Sequence, residues 1–243
     1  MKSPRIALAV LSVLIATPAL ADDMFSFNVG AVSDYRYRGI SQTRLQPAVQ
    51  GGIDVALPGG FYVGTWASTI KWIKDAGGDA AVEWDLYGGY KAEIAKDLTL
   101  DVGVLRYQYP RHRVAVAPNT TELYAALTFG VVTAKYSHSL SNLFGFADSK
   151  GSGYLDVTAT FDVGGGFTLA PHVGYQKVRG NGDFSYTDVS VTLSKEFAPG
   201  LTGSLALVAA DTKTIAGAKA YASPANGKDL GKAVAVLGIK YVF

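Results

Sequence analysis

The 243-residue sequence contains no cysteine. This excludes a disulfide framework, a thiol nucleophile and a thiolate metal site, while leaving export possible, because oxidising compartments permit disulfides without requiring them. Beyond Ala21 no apolar run approaches the roughly 20 residues that a membrane-crossing helix needs, and no helical period recurs. Only three histidines are present, His112, His138 and His172, and no pair has metal-ligand spacing. A metal site is therefore not expected, nor is any other cofactor. Neither charge sign dominates. The sequence holds 22 basic and 20 acidic side chains, and loss of Lys2 and Arg5 with a leader would leave 20 of each. Such a chain has no bulk charge to draw it to nucleic acid.

What is present begins with that leader. Lys2 and Arg5 precede the apolar stretch from Ile6 to Ala16, followed by Pro18, the small-residue triplet Ala19-Leu20-Ala21 and the acidic pair Asp22-Asp23. The order is that of a secretory signal peptide over residues 1–21, cleaved after Ala21, leaving 22–243 as one domain. A membrane anchor is the competing reading, but the apolar stretch is too short for it.

The remainder is rich in glycine and aromatic residues, with apolar side chains in short alternating runs. Strand signals predict twelve segments: 25–33, 47–57, 61–70, 80–91, 98–109, 120–130, 131–140, 153–163, 166–178, 185–196, 201–211 and 230–243. Their connections alternate. Pro58-Gly59-Gly60, Glu93 to Asp97, Gly130, Gly164-Gly165 and Phe197 to Gly200 are compact. Asp34 to Gln46, Lys71 to Asp79, Pro110 to Asn119, Ser141 to Ser152, Arg179 to Phe184 and Thr212 to Asp229 are mostly longer and more polar. Short turns opposite long loops are the layout of a transmembrane barrel, and an even strand number puts both termini on the periplasmic side. The fold class is thus all-β: a transmembrane, antiparallel up-and-down barrel, closed because lipid offers no partner to an open strand edge.

Side-chain alternation assigns the two faces. Val49, Ile53, Val55 and Leu57 oppose Gln50 and Asp54. Val82, Trp84, Leu86 and Tyr90 oppose Glu83 and Asp85, and Leu155, Val157, Ala159 and Phe161 oppose Asp156, Thr158, Thr160 and Asp162. Val189, Val191 and Leu193 oppose Asp188, Ser190 and Thr192. Carboxylates are costly in hydrocarbon, so the acidic faces point inward. The strand starting at Phe61 leaves the choice open between Phe61 with Val63 and Tyr62 with Trp66. Tyr35, Tyr37, Trp72, Tyr107, Tyr109 and Tyr175 lie near strand ends, where interfacial girdles are expected. Phe243, Tyr241, Ile239, Leu237 and Ala235 share one face. This end resembles the closing strand of outer-membrane barrels, which implies that Tyr241 and Phe243 act as a signal to the barrel assembly machinery.

Longer segments carry a family resemblance: DYRYRGISQT (34–43), TELYAALTFG (121–130), KYSHSLSNLFG (135–145), GSGYLDVTATFDVGGGFTLAPHVGYQKV (151–178), YTDVSVTLSKEF (186–197) and GKDLGKAVAVLGIKYVF (227–243). Together they resemble the TorF porin family over essentially the whole mature chain. The resemblance implies pore formation and supplies no catalytic residue.

Candidates for chemistry are few. His138 lies in Tyr136-Ser137-His138-Ser139-Leu140-Ser141-Asn142, which has the residue types of an outer-wall Ser/His/Asn hydrolase. However, the same-face neighbours of His138 are Tyr136 and Leu140, so neither serine is placed for a triad. Gly164-Gly165-Gly166 lacks the lysine and helix of a phosphate cradle and is read as a turn. The inward residues Asp54, Glu83, Asp85, Asp101, Lys135, Asp156, His172 and Asp188 are left as the expected pore lining, six acids against one lysine. Arg36 and Arg38, interleaved with tyrosine in the first long loop, are read either as a constriction or as surface groups meeting lipopolysaccharide phosphates. The expected function is passive diffusion of small hydrophilic solutes through a narrow pore that weakly prefers cations, with no catalysis. A closed structural or adhesive barrel acting through its external loops is the alternative, and a hydrolase built on His138 is a third reading. Outer-membrane lipid, lipopolysaccharide, the assembly machinery and the solutes are the expected partners.

Overall fold

A computed structural model describes residues 24–243, so the expected leader at 1–21 lies outside the described residues. Strands form where the sequence alternates, in the order β1 (Phe25–Val32), β2 (Ala48–Ala56), β3 (Phe61–Thr69), β4 (Val82–Ala95), β5 (Leu98–Gln108) and β6 (Thr120–Phe129). They continue with β7 (Val132–Ser139), β8 (Gly153–Ala159, resuming as Phe161–Gly164), β9 (Phe167–Lys177), β10 (Tyr186–Ala198), β11 (Leu201–Asp211) and β12 (Val234–Val242). Each pairs antiparallel with its neighbours in sequence. The ring is closed between β1 and β12, from Asn28 opposite Val242 to Val32 opposite Gly238. Counting β8 as one strand interrupted at Thr160, the barrel has twelve strands.

Two boundaries differ by more than two residues from the sequence reading. β4 runs on to Ala95 because its alternation continues, with Ile94 exposed outside, and the turn shrinks to Lys96-Asp97, where Asp97 takes a positive φ of 59°. β12 starts at Val234, since Leu230 is engaged elsewhere: its carbonyl accepts from the backbone N–H of Ser41 at 3.0 Å. On β3 the alternation is settled, with Phe61 and Val63 facing out while Tyr62 and Trp66 are inside.

Large apolar side chains cover the outer wall, among them Val49, Leu86, Leu155, Val189, Leu207 and Leu237. In water this surface would be unfavourable, whereas in lipid it is the expected face. Aromatics ring the short-turn end, where Phe25, Phe61, Phe129, Phe197, Tyr241 and Phe243 are exposed. At the other end Trp84, Tyr136 and Tyr175 are exposed, but most of the residues predicted for that girdle are not. Tyr35, Tyr107 and Tyr109 are buried, and Tyr37 and Trp72 pack against them, leaving Tyr175 as the one of those six on the outside.

Inside, tyrosines lie flat on the wall because the paired residue on the next strand is glycine. Tyr87 stands opposite Gly64, Tyr62 opposite Gly89, and Tyr124 opposite Gly103. A Cβ on Gly89 would fall 2.5 Å from the Tyr62 hydroxyl oxygen and 2.5 Å from the Val102 carbonyl oxygen. A strand glycine here marks the close approach of another group. Gly89→Ala is therefore expected to cost about 1–3 kcal/mol by overpacking and to push the Tyr62 ring into the bore. A lower urea midpoint in vesicles checks this.

Candidate functional site

The first long connection enters the barrel. Arg36–Tyr37 and Ile40–Ser41 pair as a two-residue hairpin whose turn, Arg38-Gly39, has positive φ at both positions, 46° and 79°. That backbone is the type I′ turn, which matches the strand twist and favours glycine at its second centre. Glycine is required at the tip for a second reason: a Cβ on Gly39 would sit 2.5 Å from Cβ of Asp188 on β10.

The hairpin is tied to the wall around the bore. Arg36 donates from Nε to Asp34 at 2.5 Å and from Nη1 to the carbonyls of Gly39 (2.8 Å) and Leu230 (2.7 Å). Arg38 donates from Nη2 to Glu122 on β6 at 2.6 Å and from Nη1 to Gln176 on β9 at 2.7 Å, with its guanidinium 4.3 Å from the Tyr154 ring centre. Tyr37 shares a hydroxyl contact of 2.5 Å with Tyr107 on β5. The Tyr35 hydroxyl donates to one oxygen of Glu83 on β4, and Tyr109 donates to the other at 2.7 Å. Contacts to β4, β5, β6, β9 and β10 place the hairpin across the lumen. With Arg36 at 2 % and Arg38 at 6 % exposure, neither arginine is available at the outer surface, and the surface-docking reading of these residues is set aside.

Below the hairpin lies a cavity whose lining runs from Ser26, Thr202 and Val242 near the short turns up to Arg36, Tyr37, Arg38 and Gly39. Of the expected lining residues, Asp54, Asp85, Lys135, Asp156, His172 and Asp188 border it. Asp54 accepts from the Tyr87 hydroxyl. Lys135, Asp156, Gly174 and Asp188 occupy one lateral row across β7 to β10. One inward step along β9, His172 lies 3.0 Å from Asp188 and 3.5 Å from Asp156, while the Tyr154 hydroxyl donates to Asp188 at 3.0 Å over the gap left by Gly174. Asp101 accepts from Tyr62 at 2.6 Å. Glu83 does not border the cavity, because it is held between Tyr35 and Tyr109 in the aromatic packing.

The charge balance differs from the sequence expectation. Arg36 and Arg38 fold in, and Lys240 on β12 joins Lys135 on the cavity wall, so the carboxylates do not stand against a single lysine. Glu122, the partner of Arg38, escaped the sequence reading. The alternation Thr120, Glu122, Tyr124 against Leu123 and Leu127 would have placed it inside.

His138 is exposed on the outer wall beside Tyr136, whereas Ser139 is buried with its hydroxyl donating to the Ser141 carbonyl at 2.9 Å. The strand separates the two residues onto opposite faces. His112 sits in a loop, its Nδ1 accepting from the backbone N–H of Val114 at 3.3 Å. Tyr241 and Phe243 stack on the outside of the short-turn end, ring centres 5.4 Å apart. Among the described residues no group of three His, Cys, Asp or Glu side chains could hold a metal ion, and no helix is long and apolar enough to cross a membrane.

The family pattern of Gcw_chp, described as "bacterial protein of unknown function", matches residues 16–243. The chain belongs to the Gcw_chp family. No curated protein matches the sequence. Among solved structures, the KdgM porin in complex with disordered oligogalacturonate superposes with a TM-score of 0.58 at 9% identity, covering 90% of this chain and 98% of that one. The NanC porin gives 0.54 at 12% identity, again covering 90% and 98%. At such identities the likeness shows the fold, a porin-type barrel, and nothing in it singles out the TorF porins.

Proposed function

We propose that this Gcw_chp protein is a narrow outer-membrane pore for passive diffusion of small hydrophilic solutes, with no catalytic step. The observation that carries this reading is the cavity, bearing charged side chains among aromatic ones, that runs from the short-turn end to a hairpin set across the lumen, inside a wall whose outer surface suits lipid. The hairpin narrows the bore, as the first loop was expected to do in one of its two readings. Along the cavity Asp34, Asp54, Asp85, Asp156 and Asp188 face Arg36, Arg38, Lys135 and Lys240, with His172 between them. Five carboxylates against four fixed cations support only a weak preference for cations. In this reading the short turns are periplasmic, the terminal Tyr241 and Phe243 serve the assembly machinery, and the outer face meets lipid and lipopolysaccharide.

The test is single-channel recording from refolded residues 22–243 in planar bilayers with unequal salt on the two sides. Small, stepwise conductance with a reversal potential slightly on the cation side is expected. Anion preference would retain the pore and discard the lining charges as its selectivity element. Silence from a demonstrably folded barrel would overturn the pore and favour a closed barrel acting through its loops.

A further inference from the structure

One lumenal carboxylate is left without the partner that its neighbours have. Glu83 is capped by two tyrosines, Glu122 by Arg38, Asp54 by Tyr87, and Asp156 and Asp188 by His172. Asp85, 3 % exposed and bordering the same cavity, has an Oδ1 with no hydrogen-bond partner among the described residues. A buried carboxylate oxygen lacking a donor is a costly arrangement, and it defines what is missing: an N–H or O–H donor, preferably one bearing positive charge.

The surroundings narrow the choice. Asp85 is flanked in its lateral row by Trp66 on β3 and Tyr107 on β5, and Tyr87 follows it on the same face of β4. All three rings border the cavity. Aromatic faces attract cations and accept alkyl chains. A carboxylate with Trp66 and Tyr107 beside it in the row and Tyr87 next on its face suits a protonated amine on a short apolar stem, with the N–H on the carboxylate and the carbons toward the rings.

We infer that Asp85, Trp66, Tyr87 and Tyr107 form a subsite for the protonated amine of a small organic cation. It deepens the pore reading by naming a solute class, and its existence can be tested apart from conduction. Calorimetry on the folded, detergent-solubilised barrel with butylammonium measures the site directly. Saturable binding is expected, weakened tenfold or more in Asp85→Asn, with tetramethylammonium, which has charge but no N–H, binding more weakly than butylammonium. If Asp85→Asn does not fold, Trp66→Leu provides the second readout: it keeps the carboxylate, loses the largest ring, and should weaken butylammonium several-fold. In bilayers, butylammonium should block the wild-type current and leave the Asp85→Asn current unblocked. No saturable binding to the folded wild type, equal binding to Asp85→Asn, or tetramethylammonium binding as tightly as butylammonium would each overturn the subsite. A silent bilayer with calorimetric binding intact would sink the pore and leave the site standing.

Discussion

Glu122→Ala will release the hairpin and raise the single-channel conductance. The reasoning begins with burial: Arg38 and Glu122 meet at 2.6 Å with side-chain exposures of 6% and 2%. Removing one partner of such a pair leaves the other charge buried and uncompensated, at a cost of about 3–5 kcal/mol. The least costly response is for Arg38 to move into water. It can do so without disturbing the β-ladder, because it lies on a two-residue hairpin and not on a barrel strand. A shift of that size moves the docked-to-undocked ratio by roughly two to four powers of ten. The hairpin should therefore become cleavable by trypsin at Arg36 and Arg38 while the barrel resists, and larger conductance steps should appear in bilayers. Arg38→Ala paired with Glu122→Ala removes both charges, and the double variant should be less perturbed than the sum of the singles by about 1–3 kcal/mol. An unchanged conductance with the hairpin still protected would mean that its aromatic contacts, Tyr37 with Tyr107 and Phe144, hold it unaided.

The second large effect belongs to the outer wall. Leu169, Leu193, Leu205 and Leu237 lie in one lateral row across β9 to β12, and Leu237 is 63% exposed near the middle of its strand. Arginine at the bilayer midplane of such a wall costs about 2–4 kcal/mol. Leu237→Arg should lose that much in urea unfolding from lipid vesicles and fold into them in lower yield. Ser190→Lys, on the cavity side of β10, adds the same charge to water-accessible wall and should change stability by about 0.5 kcal/mol or less. Equal losses in the two variants would contradict the assignment of outer and inner faces.

The barrel was readable because its determinants are local. Period-two alternation marks each strand, glycine marks four of the five tight turns, and parity of loop length orders the hairpins, so all twelve strands lie where the pattern put them. The inward hairpin was legible only as one of two alternatives, for a definite reason. Asp34 to Gln46 has the polar composition of an external loop, and what draws it inside are partners 84, 138 and 194 residues away along the chain. For the same reason the tyrosines of that region were placed in a girdle: nearness to a strand end is visible in sequence, whereas the side of the wall taken by a loop residue is not. Six of the eight acidic, basic and histidine side chains assigned to the lining do border the cavity. Their balance of charge was misjudged because Arg36 and Arg38 arrive from that loop.

The tyrosines lying over glycines on the inner wall have a consequence for how this bore can change by descent. Gly64 with Tyr87, Gly89 with Tyr62, and Gly103 with Tyr124 are each two codons far apart in the gene that behave as one inherited character. A substitution at the glycine alone crowds the ring, and a substitution at the tyrosine alone strips cover from the backbone beneath. Widening or narrowing of the passage is therefore expected to proceed by paired exchange, with bulk traded from one strand to the next, so that pore calibre can drift among relatives while strand number stays fixed.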